Sequence, residues 1–403
     1  MNQLKRFATI AVLVIYFLPA CNKHDNTNSG IQEIIKAFDK HQVVALGEIH
    51  GWKEESEFIF SLIKYPSFAE KVNDIVVECG NSKYQSIIDD YINGKDVAID
   101  ELQMTWRNMT VLCTCDAPIY EQLFQTVRTV NQNLSSDRKI RVLLGEPPIN
   151  WSEIKSAEQI GLFVFQRDQY YADVVSKEVI DKKRKALLIM GSLHLIRTGW
   201  GNAPMSNISL PGKKDTMSSR FFIPVDSTQK SNYDNKNMPE EKKAFNNPMP
   251  ANEDLNVAQI LEAKYAGKLF IILPYDGYVQ DSNLMKIEEK FKPGTPPYII
   301  STKNTWIGKQ DAGIFFSRKS IMLQDLKPTG EVSFNPYPNN KIADLCDAYL
   351  YISDKAVMTR SVPLAILKDS IYLKELNRRS MIVNNQPFRI TDYTDTSKML
   401  HSQ

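Results

Sequence analysis

Val43-Val44-Ala45-Leu46-Gly47-Glu48-Ile49-His50 is the stretch on which the fold is decided. Four apolar residues without a polar break read as a strand buried on both faces. A glycine follows, then an acid and a histidine at its end. The pattern returns as Ala186-Leu187-Leu188-Ile189-Met190-Gly191-Ser192-Leu193-His194. Similar short runs stand at 74–78 (DIVVE), 140–144 (IRVLL), 269–273 (LFIIL) and 348–353 (AYLYIS). Amphipathic helical spacing lies between several of them, as in 31–41, 53–65, 84–94, 118–134 and 370–379. Strands of this kind alternating with helices predict an α/β fold: a parallel-dominated sheet with helices on both faces. The stretch between the second and third runs has no strong strand signal and is read as a helical insertion over about 81–135.

The chain has 403 residues, 43% hydrophobic and 24% charged, enough for a sizeable core. Its formal net charge is +2, so composition gives no ground for a nucleic-acid partner. With 17 Gly, 20 Pro and five Cys it is neither collagenous, disordered nor a disulfide scaffold. Lys5 and Arg6 precede an apolar run that stops at Leu18-Pro19-Ala20-Cys21. A short apolar stretch behind a basic start reads as a signal peptide. Its end resembles a bacterial lipobox, which implies cleavage before Cys21 and lipidation of its thiol. An uncleaved anchor is the alternative. Residues 22–30 read as a flexible tether, and 31–395 as one α/β domain with a long polar loop at about 200–255. The expected location is therefore membrane-anchored, facing the periplasm or the cell surface.

Cys113 and Cys115 are too close together for an easy disulfide with each other, and two thiols are too few for a closed zinc site. Export leaves oxidation open, but buried, idle cysteines are the expectation. Cys79 is read as core, pointing away from Glu78 because strand neighbours alternate. Lys182-Lys183-Arg184-Lys185 reads as a solvated helix end or loop.

Ionisable residues collect where the buried runs end: Glu48 and His50, Glu78, Glu146, His194, and Asp276. Ligands of open α/β sheets bind outside the carboxyl ends of the strands, so these positions have one cleft to share. Of five histidines, only His50 and His194 sit in a Gly-x-x-His unit, where the glycine is expected to permit a sharp turn. Glu146 is equally readable as a turn residue before Pro147-Pro148, and Asp276 in PYDG reads first as a turn. The sequence has no G-x-S-x-G elbow, H-E-x-x-H, Walker A loop or G-x-G-x-x-G.

Three motifs, Gly47-Glu48-Ile49-His50, Glu78 in VVECG and Gly191-Ser192-Leu193-His194, resemble the superfamily that joins erythromycin esterases, ChaN-type haem-binding lipoproteins and the Tiki/TraB proteases. Arg167-Asp168-Gln169-Tyr170-Tyr171-Ala172 is similar to its Arg-Asp-x-x-Met-Ala helix start, with Tyr171 where Met is usual. The resemblance covers residues 40–200 best. It implies one of three chemistries. The first is metal-free hydrolysis: His50 as general base, Glu48 or Glu78 orienting it, and His194 and Arg167 stabilising an oxyanion or binding substrate, with Asp168 beside them. The second is hydrolysis assisted by a divalent metal ion held by His50, His194 and Glu48 or Glu78. The third is reversible haem binding for uptake, with Tyr170, Tyr171 or His194 as axial ligand. The expected function is a membrane-anchored extracytoplasmic hydrolase acting on an ester, lactone or amide of a small molecule or peptide. A haem- or iron-binding lipoprotein is the alternative. A surface protein that keeps the fold and binds a partner is a third reading.

Overall fold

Alternation along each strand divides the core into two layers, one on each face of a central sheet. In β1 (Val43–Glu48), Val44 and Leu46 join one apolar cluster while Val43 and Ala45 join the other. The computed structural model describes residues 27–198, 255–275, 296–313, 339–352 and 359–391, with Lys290, Tyr337 and two strands at 318–324 and 327–334 besides. Cys21, most of the tether, the 200–254 stretch and Asp276 lie outside the described residues.

The other strands are β2 (Asp74–Asn81), β3 (Arg141–Glu146), β4 (Ala186–Gly191), β5 (Leu269–Pro274), β6 (Tyr298–Ser301), β7 (Arg318–Gln324), β8 (Lys327–Phe334) and β9 (Ala348–Tyr351). Seven of them form one sheet in the order β3-β2-β4-β1-β5-β9-β6. All neighbours are parallel except β6, which runs antiparallel to β9 at the edge. The six apolar runs picked from the sequence are the six parallel strands, and the α/β reading holds. Burial on both faces keeps the middle of each such strand apolar, which is why they are legible as unbroken runs. β6 was not anticipated, and neither was the separate β7–β8 pair.

Helices Lys53–Lys64, Gln85–Ile92, Ile99–Arg107 and Pro118–Asn131 cover one face. Helices Arg167–Val175 and Val257–Lys264 cover the other. The sheet starts at β1 in its interior. The chain moves outward to β2 and β3, returns to β4 beside β1, and then leaves on the other side through β5. The carboxyl ends of β1 and β4 therefore meet where the connections diverge, the usual place for a ligand crevice. The segment between β2 and β3 also reaches that end, where Thr110 meets Glu146 and Tyr120 meets Glu48.

Candidate active site

Each element contributes one or two polar groups to the crevice. β1 ends at Glu48, and two residues on comes His50, followed by Gly51 at a φ of 84°. Such a φ is open to glycine and costly for other residues, so the turn that releases the chain after His50 needs Gly51. Gly47 and Gly191 serve a different purpose from the turn freedom expected of them, because neither has a left-handed φ. A Cβ on Gly47 would stand 2.8 Å from Ser192 Oγ, and one on Gly191 would stand 3.0 Å from His50 Nε2 and 3.2 Å from Glu78 Oε2. These two glycines let strand ends and imidazole approach each other.

His50 and His194 are held alike. Glu48 Oε1 lies 2.6 Å from His50 Nδ1, and Asp168 Oδ1 accepts from His194 Nδ1. Glu48 holds a proton on His50 Nδ1 and leaves Nε2 to face the crevice, and Asp168 fixes the His194 ring in the same way. Both Nε2 atoms then point at one atom, Glu78 Oε1, each 3.6 Å away. Glu78 is almost fully buried at 3% exposure, yet none of its charge is unmet. Arg167 Nη2 donates to Oε1 at 3.0 Å and the Gly191 N–H donates to Oε2 at 2.6 Å. The histidine side chains keep 26% and 20% of their surface, so water and substrate can reach them.

A second tier holds Arg167. Its Nε donates to Glu146 Oε2 at 3.1 Å, and Nη2 is bonded to the Tyr171 hydroxyl at 2.8 Å. Tyr171 donates in turn to Glu146 Oε2. The Thr110 N–H donates to Glu146 Oε1 at 2.7 Å and its hydroxyl donates to the same oxygen. Glu146 is therefore a buried anchor for the arginine rather than a turn residue. On the other side, the Tyr120 hydroxyl donates to Glu48 Oε1 at 3.0 Å and lies 3.2 Å from His50 Nδ1. Tyr120 and Thr110 come from the region between β2 and β3 and were not picked from the sequence. Every aromatic on the inner face of helix Pro118–Asn131 fits an amphipathic pattern equally well, so nothing marked Tyr120 out.

Burial alone would drive both imidazoles toward neutrality. For His50 it is outweighed by the Glu78 charge and the bond to Glu48, and its pKa rises above the usual 6.5. For His194 the burial effect is overcome by Glu78 and Asp168, and its pKa is pushed up to about 10. Burial also opposes the Glu78 charge, but the two imidazoles and Arg167 hold its pKa well below the carboxylate norm. The Tyr120 phenol is pushed well up by burial and then by Glu48, so it stays a donor.

Cys79 is buried in the core, as expected, but it is not idle. It is joined to Cys115 by a disulfide across 36 residues, with Cα atoms 5.5 Å apart. Cys113 and Cys346 are buried free thiols.

Glu48, His50, Glu78 and His194 are poorly arranged for a divalent metal. The oxygen both imidazoles face already carries the Arg167 guanidinium, and a metal ion there would sit against a fixed positive charge. Among the described residues the one compact trio of potential ligand atoms is Glu48, His50 and Cys79, and its sulfur is taken by the disulfide. Haem fits no better. Tyr171 is fully buried with its hydroxyl on Glu146, and the Tyr170 hydroxyl is bonded to Ser82 Oγ at 2.7 Å.

No family model matches this chain, and no curated protein does. Several solved structures do. A histidine-to-asparagine variant of the erythromycin esterase EreC, in its open conformation, is 12% identical, with a TM-score of 0.45, over 82% of this chain and 94% of that one. A succinoglycan biosynthesis protein is 11% identical, with a TM-score of 0.45, over 80% of this chain and 90% of its own. ChaN of Campylobacter jejuni, with cofacially bound haem, is 14% identical, with a TM-score of 0.31, over 60% of this chain and 85% of its own. An erythromycin esterase and ChaN, both named by the sequence resemblance, are thus among the matched structures. Likeness of that degree does not bear on what this chain acts on.

Proposed function

We propose that this chain is a membrane-tethered hydrolase working outside the cytoplasm, in which His50 activates water against an ester, lactone or amide carbonyl. The observation that carries the reading is the pair of carboxylate-pinned imidazoles whose Nε2 atoms converge on Glu78 Oε1 at 3.6 Å. A structural ion pair has no use for two partly exposed imidazoles, each oriented by its own carboxylate. General base catalysis uses an imidazole that a carboxylate orients in this way.

Neutral His50 takes a proton from water at Nε2 as the water oxygen bonds to the carbonyl carbon. Glu48 stabilises the imidazolium that forms. His194 is charged at neutral pH and donates to the developing oxyanion. When the tetrahedral adduct collapses, the bond to the leaving alcohol or amine breaks, and that group takes its proton from His50. Glu78 sets the separation of the two rings, and Arg167 keeps Glu78 ionised between them.

The test is turnover of an ester, lactone and peptide panel by the full chain, beside its His50→Ala and Glu48→Gln variants. Loss of about 10²–10⁴ in kcat is expected for His50→Ala, the usual worth of a general base. Glu48→Gln keeps the packing and is expected to lose activity too. Turnover unchanged in both variants would sink the proposal.

A further inference from the structure

Nine large apolar side chains are exposed among the described residues, and six of them come from three adjoining segments. Leu162 and Phe165 lie on helix Ala157–Phe165, Leu364 and Leu367 on the 3-10 turn Leu364–Lys368, and Ile371 and Met381 on helix Ser370–Asn384. The three segments share one small core through Ile160, Ile366 and Leu376. Helix Ser370–Asn384 touches both of the other segments, so the six exposed side chains lie on neighbouring elements. Ile371 is 84% exposed, Leu162 63% and Phe165 59%, values that interior packing does not explain. Concentration of this kind marks a surface that meets something apolar.

Charge says what that is. Between 364 and 391 the exposed charged residues are Lys368, Lys374 and Arg389, all positive; helix Ala157–Phe165 adds one exposed acid, Glu158, and the three segments together stay net positive. The acids of the same stretch are already matched: Asp369 pairs with Arg107 at 2.7 Å, and Glu375 with Arg378 at 2.7 Å and Arg379 at 2.8 Å. On helix Ser370–Asn384, Ile371, Lys374, Arg378 and Met381 fall within an arc of about 80°. Apolar residues with a lysine between them on one exposed helical face suit an anionic lipid surface, where stems stay apolar and heads meet phosphates; the Arg378 head is already held by Glu375 and the Trp151 carbonyl.

We infer that this face docks on an anionic lipid bilayer. It adjoins the site. Phe165 is two residues from Arg167, and the chain leading into Leu364 touches the turn after His50: Arg360 Nη1 donates to the His50 carbonyl at 3.3 Å and the Ser361 N–H to the Gly51 carbonyl at 2.8 Å. Docking holds the mouth of the crevice near the lipid headgroups. The inference stands on this surface and does not need the hydrolase reading.

The experiment attaches a nitroxide to Ile371→Cys in the full chain, with Ile99→Cys as reference. Ile99 is exposed on another helix, and the free thiols among the described residues, Cys113 and Cys346, are buried. The signal of the unaltered chain is subtracted. The protein is added to vesicles of phosphatidylglycerol and phosphatidylethanolamine, or of phosphatidylcholine alone, and collisions with oxygen and with a polar nickel chelate are measured. On the anionic vesicles the label at 371 should become oxygen-accessible and nickel-protected, while the label at 99 stays aqueous. Lys368→Gln with Lys374→Gln should lower the docked-to-undocked ratio about thirtyfold, taking ~1 kcal/mol per cation near an anionic surface. A label at 371 that stays as aqueous as that at 99 overturns the inference. So does equal insertion into phosphatidylcholine, and so does protection from both reagents without vesicles, which would mean a protein partner or a second copy.

Discussion

The two histidines differ in what surrounds them, and the difference sets a pH profile. His50 works as a base, so its share of active molecules grows as pH rises through its pKa, which lies above 6.5. His194 works charged and loses its proton near a pH of about 10. The dependence of kcat/KM on pH should be a bell with an alkaline optimum, rising on His50 and falling on His194. Glu48→Gln removes one source of the upward shift, so the rising limb should move to lower pH in that variant. A limb that does not move would show that Glu48 does not act on His50. Tyr120→Phe tests the neighbouring contact. It removes a donor to Glu48 and leaves the ring in place, and about a tenfold loss of kcat is expected, from ~1.5 kcal/mol for a bond to a charged group. A kcat equal to that of the unaltered chain would make Tyr120 mere packing.

At the scale of elements, the site depends on the region between β2 and β3. Thr110 comes from the segment after helix Ile99–Arg107, and Tyr120 from the first turn of helix Pro118–Asn131. Between them lies Cys115, bonded to the residue next to Glu78. The disulfide thus ties the segment carrying both contacts to β2, beside Glu78. Reduction, or Cys115→Ser, should cost about 3–4 kcal/mol by closed-loop entropy. It should lower kcat as Thr110 and Tyr120 loosen. Denaturant unfolding and turnover with and without reductant check both, and kcat unchanged by reduction would separate the insertion from the site. This pairing was beyond the sequence because it depends on where three amphipathic helices pack. The parallel strands were legible for the opposite reason, since burial on two faces is written into each one locally. β6 has four half-exposed or exposed residues and carried no such mark.

For the whole molecule, the sequence placed Glu48, His50, Glu78, Arg167, Asp168 and His194 on strand ends or a helix start, and the sheet order brings them within contact of one another. Convergence was readable because parallel strands all end on the same side. The pairing of Asp168 with His194 was not readable, since it depends on how helix Arg167–Val175 leans over β4. Nor was the second tier around Glu146, which looks like a turn beside two prolines until Thr110 and Tyr171 are placed on it. The central claim is that these groups hydrolyse a carbonyl compound with their own protons. The most direct measurement follows turnover of the panel by the full chain after exhaustive chelation, next to His50→Ala under the same conditions. The account predicts that turnover survives chelation and disappears with His50. Turnover abolished by chelation and restored by a divalent ion would contradict it, and would put a metal where Arg167 now meets Glu78.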